Sequence, residues 1–307
     1  MRASNYPVSS SFWTEFWSEG HTTTFGAQLP ANYQGELQAH WRRWAERLKD
    51  NELVFDLASG NGALPCLLQS ISQGMKVNLY ANDIAKIHKL ERLTQKGITF
   101  YEETDSTQIP LPEGSVNHFV SIFGFEYSEM EPTLSEVKRL LKPGGTFNVI
   151  CHHSQSKVVT EAHQMSELLK QLLVSNVLND VRQHTLNKSP DKKQLLDRTI
   201  TKKIQRLKQD FGSAIQFSGL NQLFKKIYTT QLPEQKIVDE ITLYTVQCEN
   251  QIRRLFHLHS SVLNEDSLES FVSISERLGF KNISGKLVKE NNDVIGINLS
   301  FSNLLSC

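Results

Sequence analysis

The stretch Val54–Gly62, which reads VFDLASGNG, decides the fold. An apolar run ends at an acidic residue, Asp56, and a small, glycine-bearing turn leads into a helix-like segment. In a parallel α/β sheet this order marks a strand end, a turn where the backbone can approach a ligand, and a helix N-terminus. The stretch therefore predicts a nucleotide-binding sheet edge. Glycines after an apolar run also form turns that bind nothing, so other parts of the chain must support the prediction.

The small residues of this turn limit the classes of ligand that it can bind. Ala58, Gly60 and Gly62 are spaced by two, which differs from the G-x-G-x-x-G dinucleotide fingerprint. A phosphate-binding P-loop is excluded, since no lysine followed by Ser or Thr accompanies them. Asp56 would repel a pyrophosphate and suits a cation. A nucleoside that carries an amino acid and a sulfonium meets these demands better than NAD does.

Further strands follow the first along the chain. Each predicted strand is an apolar run, and polar residues stand at the ends of three of them: Asp83 after the second, Glu126 and Tyr127 after the fourth, His152 and His153 after the fifth. A helix is expected to end at the glycines and proline before the fifth strand. The predicted strands are Met75–Asn82, Ile98–Glu102, Val116–Phe123 and Thr146–Cys151, and the helix is Pro132–Leu141, stopped by Lys142–Gly145.

Four motifs in this order resemble the class I S-adenosylmethionine-dependent methyltransferases, and most closely their ubiquinone/menaquinone-methyltransferase-like small-molecule branch. They are Asp56–Gly62, Asp83, Asp105-Ser106 before Ile109–Pro112, and Leu141–Gly145. The resemblance covers about Leu53–His153 and the C-terminal end. It implies a Rossmann-like, seven-stranded α/β sheet, mostly parallel, and S-adenosyl-L-methionine as cofactor.

The same resemblance assigns cofactor contacts residue by residue. It implies that the methionine part lies on Asp56, Ala58 and Gly60, the ribose on Asp83 and the adenine between Asp105 and Ser106, with Asn61 and Ile84 as further contacts. Two positions depart from the family pattern. Ala58 replaces a glycine but is small enough for close approach, and Asn117 replaces an aspartate within the sheet.

The chain divides into four predicted segments. Residues 1–50 form an N-terminal lid, 51–153 the cofactor-binding core, 154–267 a helical insertion after strand five, and 268–307 a helix and antiparallel hairpin that complete the sheet. The hairpin prediction rests on two apolar runs, Asn282–Val288 and Val294–Phe301, around a polar turn. Any α+β hairpin would give the same pattern, but its position after five parallel-type strands favours the family interpretation.

The insertion and the N-terminus are the candidate acceptor sides. Apolar residues recur at helical spacing in the insertion, which indicates a cap over the sheet edge or, alternatively, a structural or homodimerisation element. At the N-terminus, Phe12, Trp13, Phe16 and Trp17 precede a hydroxyl-rich loop, and a helix is expected at Tyr33–Lys49. These aromatic residues suit a lid over the acceptor or simple packing on the sheet.

Charge and composition argue against nucleic-acid-binding, metal-binding and membrane-spanning classes of protein. The basic run Lys188–Lys208 is typical of a solvated helix face, and the net charge of +0 argues against a large nucleic-acid surface. The four cysteines form no Cys-x-x-Cys pair and the histidines no ligand set, so no metal site is expected. No run of about twenty apolar residues and no signal pattern occur, and we expect a cytoplasmic protein.

The candidate catalytic residues are Glu126, His152, His153 and Tyr127, because the ends of strands four and five face the methyl group in this fold. Histidine titrates near neutrality and suits removal of an acceptor proton. Glu126 is a candidate base or amine-binding group, and His21 is a candidate from the lid. The expected function is methyl transfer to an O or N atom of a small molecule. RNA or protein acceptors, and a non-catalytic cofactor-binding scaffold, are the alternatives.

Overall fold

The computed structural model describes residues 10–24, 32–229 and 232–303. Two compact units divide the chain: one comprises residues 1–157 and 261–307, and the other residues 158–260. The first unit carries a seven-stranded sheet within the described ranges. Its strands are β1 (Leu53–Asp56), β2 (Asn78–Asn82), β3 (Thr99–Tyr101), β4 (Val116–Ile122), β5 (Leu141–Cys151), β6 (Lys281–Glu290) and β7 (Asp293–Ser302).

The strand order is β3-β2-β1-β4-β5-β7-β6, which confirms the predicted Rossmann-like α/β class. Strands β1 to β5 pair in parallel, while β7 is antiparallel to both β5 and β6. The hairpin turns at Asn291 and Asn292, both with positive φ, a conformation that asparagine tolerates better than most residues. Strands β2 and β3 are added on one side of β1, and β4 and β5 on the other. Because the strand order switches sides between β1 and β4, the carboxyl ends of these two strands frame a crevice.

Helices cover both faces of the sheet. One core cluster joins α2 (Gly35–Ala45), α3 (Ala63–Ile71) and α4 (Leu90–Gln95) to one face. The other joins α5 (Met130–Leu140) and α11 (Glu265–Arg277) to the opposite face. Adjacent strand residues alternate between the two, as Val54 and Phe55 do in β1, because side chains alternate along a strand. The buried sheet explains the nearly continuous apolar strands.

Several element boundaries differ from those predicted. β2 begins only at Asn78, because the Lys76 carbonyl accepts from the Asn51 amide of a neighbouring loop. β4 ends at Ile122, because Phe123 adopts a left-handed conformation with φ 55°. The helix before β5 ends at Leu140, and the strand begins at once.

The helix thus ends within one residue of the predicted Leu141, but Lys142–Gly145 do not form a separate turn before the strand. These residues lie inside β5, as an irregularity between the pairs Val116–Leu141 and His118–Thr146. The glycine and proline interrupt the strand register rather than end the helix.

The helical insertion after strand five is confirmed. Its helices are α6 (Lys157–Val174), α7 (Val177–Leu186), α8 (Pro190–Phe211), α9 (Leu220–Thr229) and α10 (Glu234–Ser261). In α6 the predicted apolar stripe is buried at Leu168, Leu169 and Leu172, whereas Phe256 of α10 is exposed. A short helix, α1 (Ser10–Ser18), precedes α2 in the first unit. α2 is shorter than the helix predicted at Tyr33–Lys49. Phe25 and Gly26, at the end of the hydroxyl-rich loop, and Cys307, one of the four cysteines, lie outside the described residues.

Candidate active site

A cavity of about 340 Å³ lies at the carboxyl ends of β1, β2 and β4. Its volume falls within the usual range for small-molecule sites, and its position is where open α/β sheets bind ligands. Polar groups from the strand ends form one wall and aromatic groups from the N-terminal segment another. The lining comprises Trp13, Trp17, Thr22, Thr23, Thr24, Tyr33, Asp56, Ala58, Ser59, Ala63, Leu64, Asp83, Ile84, Asp105, Ser106, Ile122, Phe123, Gly124, Tyr127, Ser128 and Glu129.

Asp56 is the most unusual group in the cavity. Its side chain is buried, and within the described part of the chain neither carboxylate oxygen has a hydrogen-bond partner. Burial raises its pKa well above the usual range; the Ser59 hydroxyl, close by but not in hydrogen-bonding geometry, lowers the pKa only in part, and the charge of Asp83 raises it further. An isolated buried carboxylate is costly unless a cation or donor completes it. The cavity wall therefore presents an acceptor for a positively charged ligand.

Asp83, at the end of β2, is held rigidly. One carboxylate oxygen accepts from the Gly60 amide at 2.7 Å and the other from the Ala85 amide at 2.9 Å. Burial raises its pKa to about 6, although the two amides pull the pKa down. Each oxygen keeps further lone-pair sites, because an ionised carboxylate has about four. Asp83 is thus a preoriented acceptor that ties the glycine turn to the second strand.

Left-handed backbone marks the turns around the cavity. Ala58 has φ 49° and Phe123 has φ 55°, and both residues line the cavity. A Cβ added to Gly124 would lie 2.5 Å from the Ala58 carbonyl, so the loops after β1 and β4 approach too closely for any side chain there. Non-glycine residues in this conformation are strained and concentrate at functional sites. The backbone here forms a cradle that larger residues would fill.

Helix α1 packs on the glycine turn. A Cβ on Gly60 would lie 2.3 Å from the Trp17 ring, which shows how closely this ring covers the turn. Trp13 stacks on Trp17, and it meets Tyr127 edge to face with ring centroids 5.2 Å apart. Ile84 and Ala85 pack beneath this aromatic group. The N-terminal segment therefore forms the outer wall of the cavity.

Asn61 fastens that segment to the core. Its side-chain amide donates to the Trp17 carbonyl at 3.0 Å and to the His21 carbonyl at 2.7 Å. Its carbonyl accepts from the His88 amide at 2.8 Å. Gly60 and Asn61 consequently lie behind the wall and do not line the cavity in this conformation, whereas the other predicted cofactor contacts do. Asn61 links the glycine turn, the N-terminal segment and the loop after β2.

The candidate catalytic residues separate into three places. Tyr127 lines the cavity. Glu126 and His152 are buried together: one Glu126 oxygen accepts from both the His152 amide and Nδ1, each at 2.7 Å. His152 lies against the Phe123 ring with centroids 4.3 Å apart, and so sits behind the cavity wall rather than in it.

His153 lies elsewhere. It pairs with Leu263 in an isolated bridge and borders a different depression with Asn264 and Glu265. Burial lowers its pKa. His21, the candidate from the lid, contacts Glu19 at 2.8 Å and does not line the cavity. Strand-end position alone therefore does not bring the two histidines after β5 to one site.

Some lining residues escaped the sequence argument. Asn82 lies beneath the lining, where its buried amide donates to the Thr104 carbonyl at 2.8 Å and to the Ser106 hydroxyl at 3.1 Å, fixing the loop that carries Asp105. Tyr33, Ser128 and Glu129 were missed because they follow no strand directly. A polar residue just before the acidic end of β2 was the available signal for Asn82.

The geometry offers no metal centre in the part of the chain that the structure describes. Among those residues, His, Cys, Asp and Glu side chains do not gather in groups of three or more that would hold an ion. No described helix combines the length and apolar character that a membrane span requires.

Comparison with known proteins identifies a domain. Residues 55–149 match the methyltransferase domain model, a segment that contains the end of β1, all of β2 to β4, most of β5 and the strand-end groups of the cavity. None of the curated proteins compared with the chain matches it.

Among solved structures, the chain is similar to a protein described as an S-adenosyl-L-methionine-dependent methyltransferase from Methanococcus maripaludis, with 12% identity, TM-score 0.49, and 100% of this chain and 99% of that chain covered. It is also similar to a SAM-dependent methyltransferase from Aquifex aeolicus, with 12% identity, TM-score 0.45, and 97% of this chain and 100% of that chain covered. A third is phosphoethanolamine N-methyltransferase 2 from Haemonchus contortus, with 11% identity, TM-score 0.39, and 98% of this chain and 59% of that chain covered.

Proposed function

We propose that this chain, an S-adenosylmethionine-dependent methyltransferase by its domain, transfers the methyl group to an O or N atom of a small molecule. The observation that carries the proposal is Asp56, a buried carboxylate without a hydrogen-bond partner among the described residues, in the wall of the cavity at the strand ends. A cationic cofactor completes that group. Membership of the ubiquinone/menaquinone-type branch is the finer form of the same proposal.

We infer the cofactor's position from the inner wall. Asp56 accepts from the cationic amino-acid end, because it is the unsatisfied charge. Asp83 accepts from the ribose hydroxyls with the lone pairs that Gly60 and Ala85 leave free. Ile84 and Ser106 border the adenine, with Asp105 at the rim. The residues fit the cofactor in charge and hydrogen-bonding type.

The acceptor then occupies the aromatic side. Trp13, Tyr33 and Tyr127 offer flat apolar surface, while Thr22–Thr24 and Glu129 offer polar contacts at the same cavity. Such a wall suits an organic molecule with one polar, methylated end. The size of the cavity favours a small molecule over a folded RNA or protein.

The chemistry demands little of the protein beyond positioning. The cofactor supplies a methyl group already activated on a sulfonium, so the acceptor atom forms the new C–O or C–N bond as the C–S bond breaks. The protein aligns the acceptor in line with that bond and excludes water. Tyr127, in the wall, orients the acceptor atom through its hydroxyl. An acceptor hydroxyl must also lose its proton, which leaves to solvent or to a cavity group such as Glu129.

Glu126 and His152 act as positioning residues in this proposal. Their short contacts fix the loop that carries Tyr127, since Glu126 and Tyr127 share one helical turn and His152 lies 6.2 Å from the Tyr127 ring, centroid to centroid. Because a carboxylate oxygen can only accept, His152 Nδ1 is the donor in this contact.

A screen with labelled cofactor tests the activity. Purified protein is incubated with S-adenosylmethionine carrying a labelled methyl group and with fractions of a metabolite extract, while calorimetry measures cofactor binding separately. We expect binding and label in a low-molecular-weight product. Label appearing only in RNA or protein would overturn the acceptor class, and binding without turnover in any fraction would favour the scaffold alternative. An Asp56→Asn variant serves as the binding-deficient control.

The RNA alternative has one supporting feature, the basic helix α8. Within the described residues, Lys203 pairs with Asp180 and Arg206 with Asp210, while Lys192, Lys193 and Lys202 have no ion-pair partner. Retention of RNA at low salt that is lost on reversing these three lysines would support it. An RNA that neither binds nor becomes labelled removes it.

A further inference from the structure

A second groove lies on the face of the sheet that α2 covers, away from the cavity at the strand ends. Its volume is about 300 Å³, and it shares no lining residue with the candidate active site. α2 supplies His40, Arg43 and Trp44, and Arg47 follows just after its end. Strands β5, β6 and β7 supply the floor. We call it the α2 groove.

The floor is polar where a sheet face under a helix is ordinarily apolar. Asn148, Ser284 and Ser300 lie side by side on three strands, because Asn148 pairs with Ser300 and Ser284 pairs with Ser300. Lys286 and Asn298 form the next row. Alternation along each strand places all five on one face. Five polar side chains in two rows make this a polar surface, open to solvent at Lys286.

Asn148 is oriented so that its donors are free. Its side-chain oxygen accepts from His40 Nε2 at 3.1 Å and from Asn298 Nδ2 at 3.0 Å. The amide nitrogen of Asn148 is therefore left to donate, and in the described part of the chain it has no acceptor. With the Ser284 and Ser300 hydroxyls, the floor offers hydrogen-bond donors to a ligand.

The walls are cationic. Among the residues that line the groove, none is acidic, and three carry positive charge: Arg43, Arg47 and Lys286. Arg43 pairs with Glu36 outside the lining, whereas Arg47 and Lys286 have no ion-pair partner within the described ranges. Burial lowers the pKa of His40 and its hydrogen bond with Asn148 raises it. The charges of Arg43 and Arg47 lower this pKa further and that of Glu36 raises it, so two guanidinium groups and one carboxylate act on the same space. Uncompensated cations over a floor of donors select an anion.

The groove continues into a less polar lobe. A neighbouring depression of about 230 Å³ shares Trp44, Arg47, Asn148 and Ser300 with it. This lobe adds the apolar side chain of Leu48 and the polar residues His118 and Thr146, whereas the ring of Phe301 packs in the core on the opposite face of the sheet. An anionic group beside Arg47 would thus have apolar and aromatic surface next to it for an organic part.

We propose that the α2 groove binds an organic phosphate: its phosphoryl oxygens accept from Arg47, Lys286 and the Asn148 amide, and its organic part lies against Trp44. Arginine forks match phosphate geometry, which favours phosphate over a simple halide. The separate lining makes this molecule a second ligand rather than the methyl acceptor. The proposal is independent of the acceptor named above.

Binding of inorganic phosphate and of phenyl phosphate to the full-length protein tests it, by calorimetry and by thermal shift at low salt. We expect both to bind, phenyl phosphate at least threefold more tightly. The double variant Arg47→Gln/Lys286→Gln should weaken both at least tenfold. Arg42→Gln/Lys281→Gln is the matched control, since it removes the same charges from exposed positions of α2 and β6 outside the groove.

Several outcomes would overturn the proposal. They are no binding by the wild type, equal loss in the control pair, and an RNA oligonucleotide bound without competition from phenyl phosphate. Equal affinity for the two phosphates would remove the apolar lobe from the site. Cofactor binding, measured in parallel, should be unchanged in both double variants, which separates this result from a failure of the methyltransferase site.

Discussion

The two walls of the active-site cavity are built in opposite ways. The inner wall carries buried carboxylates at strand ends, and backbone amides hold Asp83 in place. The outer wall consists of aromatic rings on a short helix, held by packing and by Asn61. In the proposed function, the methyl donor is then selected by charge and hydrogen bonds on a rigid frame. The acceptor is selected by shape on a separable element.

Within the inner wall, the two carboxylates should respond differently to mutation, with the largest effect on cofactor affinity. Asp83→Ala leaves the Gly60 and Ala85 amides without their acceptor, so it should lower both affinity, about 100-fold or more, and stability. Asp56→Asn should lower affinity about 10-fold or more while leaving the melting temperature equal or higher, because it removes an unpartnered buried charge. Calorimetry and thermal unfolding measure both.

Glu113→Gln, an exposed acidic position outside the cavity, is the control. A drop in stability for Asp56→Asn comparable to that of Asp83→Ala would contradict the assignment of a partnerless carboxylate.

The pH dependence of cofactor binding should follow the inner wall. Both acids have pKa values raised above those of the unfolded chain, Asp83 to about 6. Their protonation stabilises the free protein at low pH, and that stabilisation is lost as pH rises through the folded pKa values. Binding needs the ionised forms, so affinity should fall as the pH is lowered through about 6, the folded pKa of Asp83. Because the pKa of Asp56 is raised as well, binding should release a proton from Asp56 at any pH where the free protein keeps it protonated.

Calorimetry in buffers of different ionisation enthalpy counts that proton. It should disappear in Asp56→Asn, and its persistence there would assign the release to another group.

Mutations of Tyr127 and His152, which lie where the inner and outer walls meet, should change the turnover rate. Tyr127→Phe removes only the hydroxyl, so kcat should fall about tenfold while cofactor affinity stays unchanged, provided the ring keeps its contact with Trp13. His152→Asn should lower kcat less and shift no limb of the pH–rate profile, since His152 lies behind the wall. A lost limb would show that His152 titrates in catalysis and is the base itself.

A mutation in the outer wall should change cofactor affinity least, but it should clearly change the rate at which the cofactor dissociates. Asn61→Ala breaks three hydrogen bonds between the glycine turn, the N-terminal segment and His88. It should destabilise the protein by about 2 kcal/mol and raise the cofactor dissociation rate several-fold in stopped-flow measurements. Asn78→Ala, which breaks one exposed bond to the Asn51 carbonyl, is the matched control. Identical rates in the two variants would show that the outer wall does not retain the cofactor.

The same contrast explains what the sequence predicts well. The inner wall follows strands in order, so apolar runs and the polar residues after them located Asp56, Asp83, Asp105 and Ser106. The sheet class and the hairpin were equally accessible, because buried strands and a polar turn leave local patterns. The irregularity at Lys142–Gly145 could not be predicted from the sequence, since it depends on how β5 pairs with β4.

The rest depends on contacts distant in sequence. Gly60 and Asn61 were placed correctly in the turn, but whether they face the cavity is decided by Trp17 of another segment. His152 and His153 are neighbours in sequence, yet one is buried with Glu126 and the other borders a separate depression. The α2 groove escaped notice because its polar residues alternate with apolar ones on strands whose partners the sequence does not name.

The ring of Trp17 on Gly60 has a consequence for throughput. In the proposed function the cofactor lies in the cavity whose outer wall this ring helps to form, so admission of the cofactor and release of the demethylated product both pass through a lifting of α1. The slowest event of a cycle would then be mechanical, and substrates of very different reactivity would be processed at similar maximal rates. The maximal turnover rate of such an enzyme would then depend on how fast α1 separates from the glycine turn, far more than on the groups that surround the reacting atoms.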